Sequence, residues 1–364
     1  MARTPFTLAA VATAAVPELD VVATREHTTG EHGDYDAAVL TVSDGRELIV
    51  RVPRTQAAET EQAADLIALQ ALSSGVRSRL PFDVPQPVGQ TPFDGTRAVV
   101  YDFLPGHPLQ LDEVHGDTAA SAGGAIAAIH ALPTGFVHDA GLPQQEADEA
   151  QRTVMSVIDR AQQTGSLPAA LRSRWFTAAT DEALWRFQPT VINGALSADS
   201  LLVDQGSVVA VIGWSALSVG DPARDLAWAL GAQPDAAEAV FAWYESARQM
   251  APDPRLRQRA LLHAELDLAR WLLHGHELHD RQIIADAEGM LDTLVDRVHQ
   301  NGVEPLEAET GPVLDASQVE QLLAQTPYEN LPPGAESTGG HSPGFEPVED
   351  ENVESQRPAS SDDE

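Results

Sequence analysis

Neither cysteine nor lysine occurs anywhere in the 364 residues. The first absence excludes disulfides, thiolate catalysis and cysteine-ligated zinc, and it suits a reducing, cytoplasmic setting. The second makes all 22 basic residues arginine. No lysine is left for Schiff-base chemistry, although arginine can still grip phosphate bidentately. Positive charge is scarce as well: 55 acids set the formal net charge at −33. Such a chain repels phosphate backbones and anionic lipid surfaces, so nucleic acid and membrane are not expected partners. A cationic small molecule or a basic protein fits the charge better, and solubility alone would also account for it. Long apolar runs are missing too, since no segment approaches the ~18 residues that a membrane span requires. The apolar stretch from Phe6 to Val16 follows only Arg3 and predicts a first helix rather than a signal segment.

What is present is a globular composition, 43% hydrophobic, long enough for two domains or one two-lobed unit. Tyr35 to Val42 and Glu47 to Val52 flank Ser43-Asp44-Gly45, which predicts a β-hairpin. From Glu59 to Leu72, residues 63, 66, 69 and 72 form a helical stripe. Leu80 to Pro87 is an extended connector, and Arg97 to Gly106 a strand with its exit. Ala120 to Leu132 predicts an alanine-rich helix carrying His130 at the edge of the core, with no carboxylate partner nearby in sequence. Helical patterns recur at 166–186, 234–250, 255–274 and 280–299, with Trp175, Trp185, Trp228, Trp243 and Trp271 expected as packing anchors. His274, His276 and His279 have metal-like spacing, but Gly275 is expected to cap the helix and split them, so no metal site is assigned. A last short helix is expected at 314–323. From Leu331 to Glu364, nine acids oppose Arg357 among five prolines and four glycines, a composition that predicts disorder.

The most patterned stretch runs Val191-Ile-Asn-Gly-Ala-Leu-Ser-Ala-Asp-Ser-Leu-Leu-Val-Asp204, then Val208-Val-Ala-Val-Ile-Gly-Trp214, then Val219-Gly-Asp-Pro-Ala-Arg-Asp-Leu-Ala227. It resembles the core of the aminoglycoside and macrolide phosphotransferases, whose motif reads His-Gly-Asp-Leu, an Asn five residues after that Asp, Ile-Asp-Trp, and Gly-Asp-Pro-x-x-Asp-Leu-Ala. The resemblance implies an α+β, protein-kinase-like fold. A β-rich small lobe would occupy residues 1–103, a helical large lobe 104–300, and an acidic, mostly disordered tail 301–364.

It also locates substitutions. Ala195 stands where the family carries its catalytic Asp, Ser200 where it carries a metal-binding Asn, and Gly213 where it carries a metal-binding Asp. Asn193 replaces the motif histidine. On the nucleotide side the resemblance puts Arg51 at the phosphate-pairing strand lysine, where a solvent-facing arginine is equally expected. Asp65 falls at the helix glutamate that would pair with Arg51. Tyr101, Asp102 and Phe103 fall at the hinge, whose backbone would meet an adenine-like ring. The segment Thr28 to Asp34 takes the place of a phosphate loop, but Glu31 and Asp34 would repel phosphate. Trp214 is assigned to a ligand cleft. Asp199 and Asp204 flank the site, and Asp199 is the possible substitute for the missing catalytic carboxylate. Asp221 is expected to cap a helix that starts at Pro222, and Asp225 to be a buried structural carboxylate. ATP or GTP with Mg²⁺ would be the cofactors of an active member. The residues favour a catalytically degenerate binding or regulatory module. An active antibiotic-type kinase working through Asp199 and an acidic protein-interaction module are the alternatives.

Overall fold

The structure is a computed structural model that describes residues 3–27, 33–248, 251–300 and Leu306. Helix α1 (Pro5–Ala15) starts at Thr4, whose hydroxyl accepts from the Thr7 amide, and carries Pro5 in its first turn. Strands β1 (Val21–Glu26), β2 (Tyr35–Val42) and β3 (Glu47–Pro53) lead to α2 (Gln56–Ala71) and the short α3 (Ser74–Arg77). Then come β4 (Pro87–Phe93) and β5 (Thr96–Asp102). The five strands form one antiparallel sheet in the order β1-β2-β3-β5-β4. The hairpin expected around Asp44-Gly45 is β2–β3, with Val39 opposite Ile49.

Strand alternation divides the work of this sheet. Leu40, Val42, Leu48, Val50, Val52 and Val100 face α1 and bury Leu8, Val11 and Ala12. The opposite face turns Ala37, Ile49, Arg51 and Tyr101 toward a cleft. Arg51 therefore belongs to a recessed surface and not to open solvent.

Beyond the sheet lie β6 (His107–Pro108), α4 (Gly116–His130), α5 (Gly135–Asp139), α6 (Ala147–Gln163) and α7 (Ala169–Thr180). The patterned stretch follows as β7 (Thr190–Ile192), β8 (Leu201–Asp204), β9 (Ser207–Val211) and β10 (Ser218–Gly220). Helices α8 (Pro234–Ala247), α9 (Leu256–Leu278) and α10 (Arg281–His299) complete the large lobe. β8 is the central strand between β6 and β9, and β7 pairs with β10, so two small ribbons carry the loops that matter for chemistry. One apolar cluster runs from α2 (Leu66, Leu69) through Tyr101 to Ile126 and Trp214, while α6, α7, α9 and α10 close around a second. The architecture is α+β and protein-kinase-like.

Several expectations fail in detail. α6 has no counterpart in the helical pattern read from sequence, although Ala150, Val154, Val157, Ile158 and Ala161 form its buried face and Glu146 with Glu149 caps its start. Gly275 is no cap: α9 continues to Leu278, and His279 takes the left-handed cap conformation at φ 55. A side chain at Gly275 would meet Ile283 and Ile284, so the glycine serves close approach of α10. Trp243 and Trp271 are 52% and 37% exposed and do not anchor the core, unlike Trp175 and Trp185. His274 stacks on the Trp271 ring instead of joining His276 and His279. The expected helix at 314–323 and the tail from Leu331 lie outside the described residues.

Candidate functional site

The motif loop between β7 and β8 is held from beneath by a buried carboxylate. Asp225 is fully buried; its two oxygens accept the Asn193 amide at 2.7 Å and the Gly194 amide at 2.8 Å. His130 lies 3.2 Å from the same carboxylate through Nε2 and 2.8 Å from the Tyr244 hydroxyl through Nδ1. Arg248 donates to that hydroxyl at 2.7 Å. The roles chain consistently if neutral His130 donates to Asp225 and accepts from Tyr244. His130 thus sits in the core and has a carboxylate partner, 95 residues away in sequence, which correlates its position with the loop.

Gly194 follows with φ +83, where a Cβ would fall 2.4 Å from the Ala216 carbonyl, so only glycine fits. Arg224 donates to the Gly194 carbonyl. Asn193, fully buried, links both halves of the frame: its amide donates to the Gly213 carbonyl at 2.9 Å and its oxygen accepts from the Ala195 amide at 3.2 Å. Gly213 has φ +72, and a Cβ there would have nothing nearer than Ser200 Oγ at 4.0 Å. Among non-glycine residues, Asn and Asp tolerate that backbone region best. The backbone at this substituted position thus remains compatible with a carboxylate.

Asp221 caps the 3₁₀ turn that begins at Pro222 by accepting from the Ala223 amide at 3.0 Å, as the sequence predicts. It does more: Arg259 Nε contacts both of its oxygens at 3.0 and 3.1 Å, and His263 Nε2 lies 3.0 Å away. Burial pushes the Asp221 carboxyl up, but Arg259 and His263 outweigh it and bring it down to about 2.

Burial also lowers His130 and His263 below the ordinary value of 6.5, against the opposing pull of Asp225 and Asp221. In the unfolded chain these imidazoles take up protons as the pH falls through 6.5, while the folded protein resists. Stability is therefore expected to be full above that pH and to decline as the pH drops below it. Asp221 adds a second loss between about 4 and about 2, where the unfolded carboxyl is protonated and the folded one is still charged. Thermal unfolding from pH 8 to 2 checks both declines, and His130→Gln or His263→Gln should flatten the first. A melting temperature indifferent to pH between 7 and 5 would exclude it.

Above the frame, the cleft between sheet and large lobe has a volume of about 730 Å³. It is lined by Arg51, Asp65, Tyr101, Asp102, Phe103 and Asp199, together with Gly213, and a recess of about 230 Å³ adjoining Ser200 continues it. The predicted nucleotide-side residues therefore meet in one place. The predicted Asp65–Arg51 pair is not made among the described residues. Asp65 Oδ1 accepts the Trp214 amide at 2.7 Å, and the Arg51 guanidinium lies over the Tyr35 ring at 4.0 Å. The Asp65 carboxyl is pushed up, first by burial, with the Trp214 amide and Arg51 opposing. Trp214 contributes that amide but not its ring: the side chain is fully buried, with Nε1 donating to the Val211 carbonyl, and does not line the cleft. At the hinge, the Asp102 and Phe103 amides already donate to the Gln86 and Glu47 carbonyls, both at 3.1 Å. Leu104 also lines the cleft beside them. Asp199 accepts from the Ser197 hydroxyl at 2.6 Å, and Ser197 shares a 2.8 Å bond with Ser200. The loop from Thr28 through Glu31 lies outside the described residues, whereas Asp34 lines the cleft.

A model of the phosphotransferase enzyme family matches residues 31–272, from the approach to β2 into α9. The chain belongs to that family. Among solved structures, the macrolide 2'-phosphotransferase MphH of Brachybacterium faecium shares 21% identity at a TM-score of 0.67, over 79% of this chain and 98% of that one. The macrolide 2'-phosphotransferase type I shares 23% at 0.64, over 80% and 98%. The GDP complex of aminoglycoside 2'-phosphotransferase-IIIa shares 19% at 0.65, over 82% and 100%. These likenesses establish the phosphotransferase fold. A further relative, the uncharacterized protein YcbJ of Bacillus subtilis, is 24% identical over 208 residues; the match covers 53% of this chain and 65% of that protein's length. Among the described residues no helix is long and apolar enough to cross a membrane.

Proposed function

We propose that this phosphotransferase-family protein does not transfer phosphate and works, in the cytoplasm, as a binding or regulatory module whose ligand occupies the cleft. Phosphoryl transfer needs a carboxylate to orient the acceptor hydroxyl and oxygen ligands to hold Mg²⁺ across the phosphates. One observation carries the reading: the frame around Ala195, Ser200 and Gly213 is fully braced by Asn193, Asp225 and Gly194, yet at those three positions it presents a methyl group, a hydroxyl and a bare backbone. Here the fold persists and the groups that carry charge do not.

A second reading rests on Asp199, which lines the same cleft beside Ser200 and Gly213 and would have to leave its Ser197 bond to serve as the catalytic carboxylate. The family's relatives are named for action on macrolides and aminoglycosides, and some were solved with GDP, kanamycin or ADP. The test follows those names. Incubated with Mg²⁺, γ-labelled ATP or GTP, and a panel of aminoglycosides and macrolides, the protein is expected to give no labelled product. Product that disappears in Asp199→Ala would establish the second reading instead.

A further inference from the structure

With the cleft read as a ligand site, the placing of Arg51 decides where a guest meets positive charge, because no other arginine is among the described residues that line it. Its N–H donors make no hydrogen bond or ion pair among the described residues, although Glu61 and Asp65 line the same recess. The guanidinium carbon lies instead 4.0 Å from the centroid of the Tyr35 ring.

The hairpin register sets up this contact. Arg51 stands opposite Ala37, and Tyr35 is the next residue of β2 on the same, cleft-facing side. Diagonal neighbours of this kind are within reach when one side chain is long and the other aromatic. The ring is itself held: its hydroxyl donates to the Ala58 carbonyl in the first turn of α2 at 2.8 Å. Burial pushes that phenol up to about 12, so it remains a donor and the ring stays neutral.

Asp65 has less to offer. Its Oδ1 accepts the amide of fully buried Trp214 at 2.7 Å, and turning to Arg51 would leave that amide unpaired, a cost of about fivefold or more in the folding equilibrium. Burial also raises the Asp65 carboxyl, against the Trp214 amide and Arg51, which weakens the charge that a guanidinium would meet. An ion pair reached by water is worth no more than about fivefold, so it does not offset the loss.

We propose that Tyr35 is the positioning residue of the cleft: its ring, and not the Asp65 carboxylate, fixes where Arg51 stands on the wall.

Proton–nitrogen correlation spectra of arginine side chains in the full-length protein test this, with Arg51→Gln identifying the Arg51 Nε–H signal. A guanidinium over a ring face is shielded by the ring current, so the signal is expected upfield of its ordinary position. Tyr35→Leu should abolish that displacement. Asp65→Asn, which keeps an oxygen for the Trp214 amide, should preserve it. Urea unfolding gives a second readout. Tyr35→Leu and Arg51→Gln are expected to be coupled by about two- to fivefold in the unfolding equilibrium constant, the worth of an exposed cation–π contact, and Asp65→Asn with Arg51→Gln by less than about twofold. The spectra of the parent and of Asp65→Asn decide the matter even where Tyr35→Leu fails to fold. A parent signal without a ring shift, or a shift abolished by Asp65→Asn, overturns the assignment. Either result leaves the reading of the cleft as a ligand site without phosphoryl transfer in place, whereas labelled product removes that reading and leaves Arg51 where the spectra put it.

Discussion

The triple variant Ala195→Asp, Ser200→Asn, Gly213→Asp is expected to bind Mg²⁺ with a nucleotide about a hundredfold more tightly than the parent, ~2.8 kcal/mol at ~1.4 kcal/mol per decade. Each substitution enters a position whose surroundings are intact. Asp225 holds the amides of Asn193 and Gly194 whether residue 195 is Ala or Asp, because those bonds involve backbone alone. Asn193 fixes the Gly213 carbonyl, and the space where a Cβ would grow is open. At φ +72 an Asp costs roughly 1 kcal/mol of backbone strain, small beside the gain of a metal carboxylate. Mg²⁺ is then shared between protein oxygens and the nucleotide phosphates, which also offsets the repulsion from Asp34 and Glu61. Calorimetry with non-hydrolysable ATP and GTP analogues, with and without Mg²⁺, measures the change. A triple variant that binds no better than its parent would place the loss on the nucleotide side as well, where Arg51 is stacked on Tyr35 and away from Asp65.

Arg259→Met is expected to destabilise the protein by about 3–5 kcal/mol, the range for removing one partner of a buried ion pair. Arg259 is fully buried, with Asp221 on one side and Asp253 on the other, and it also donates to the Leu184 carbonyl at 3.1 Å. Without it Asp221 must either stay charged in a buried site, with His263 and one amide as its remaining contacts among the described residues, or take up a proton, and both cost stability. The double variant Asp221→Asn with Arg259→Met should recover part of the loss, since no uncompensated charge then remains. Urea denaturation of the two single variants and the double closes the cycle. If Arg259→Met costs less than about 1 kcal/mol, the network is ornamental to stability.

Local signals made much of this legible in advance. Asp44-Gly45 between β-rich runs marks the hairpin, and the order of landmarks from Asp34 to Ala227 marks the family. The three substituted positions can be read directly because each lies within a few residues of a retained neighbour. What escaped was set by distance along the chain. His130 meets Asp225, and Asp221 meets Arg259 and His263, across 95, 38 and 42 residues, and nothing local to any of them announces its partner. Arg51 and Asp65 have opposite charges and face one cavity, yet an aromatic ring and a backbone amide were nearer. Trp214 follows a glycine at the cleft, so its neighbour lines the cavity while its own ring turns into the core. The α6 face was present as spacing, diluted by the charged residues between its apolar positions.

The apolar cluster that passes from α2 through Tyr101 to Ile126 and Trp214 belongs to both walls of the cleft at once. Prising those walls apart would bring Leu66, Leu69 and Val99 into water, a cost that grows at about 25 cal/mol for every Å² uncovered. Ligands that fit the cavity of about 730 Å³ as it stands are therefore favoured over those that require its walls to part.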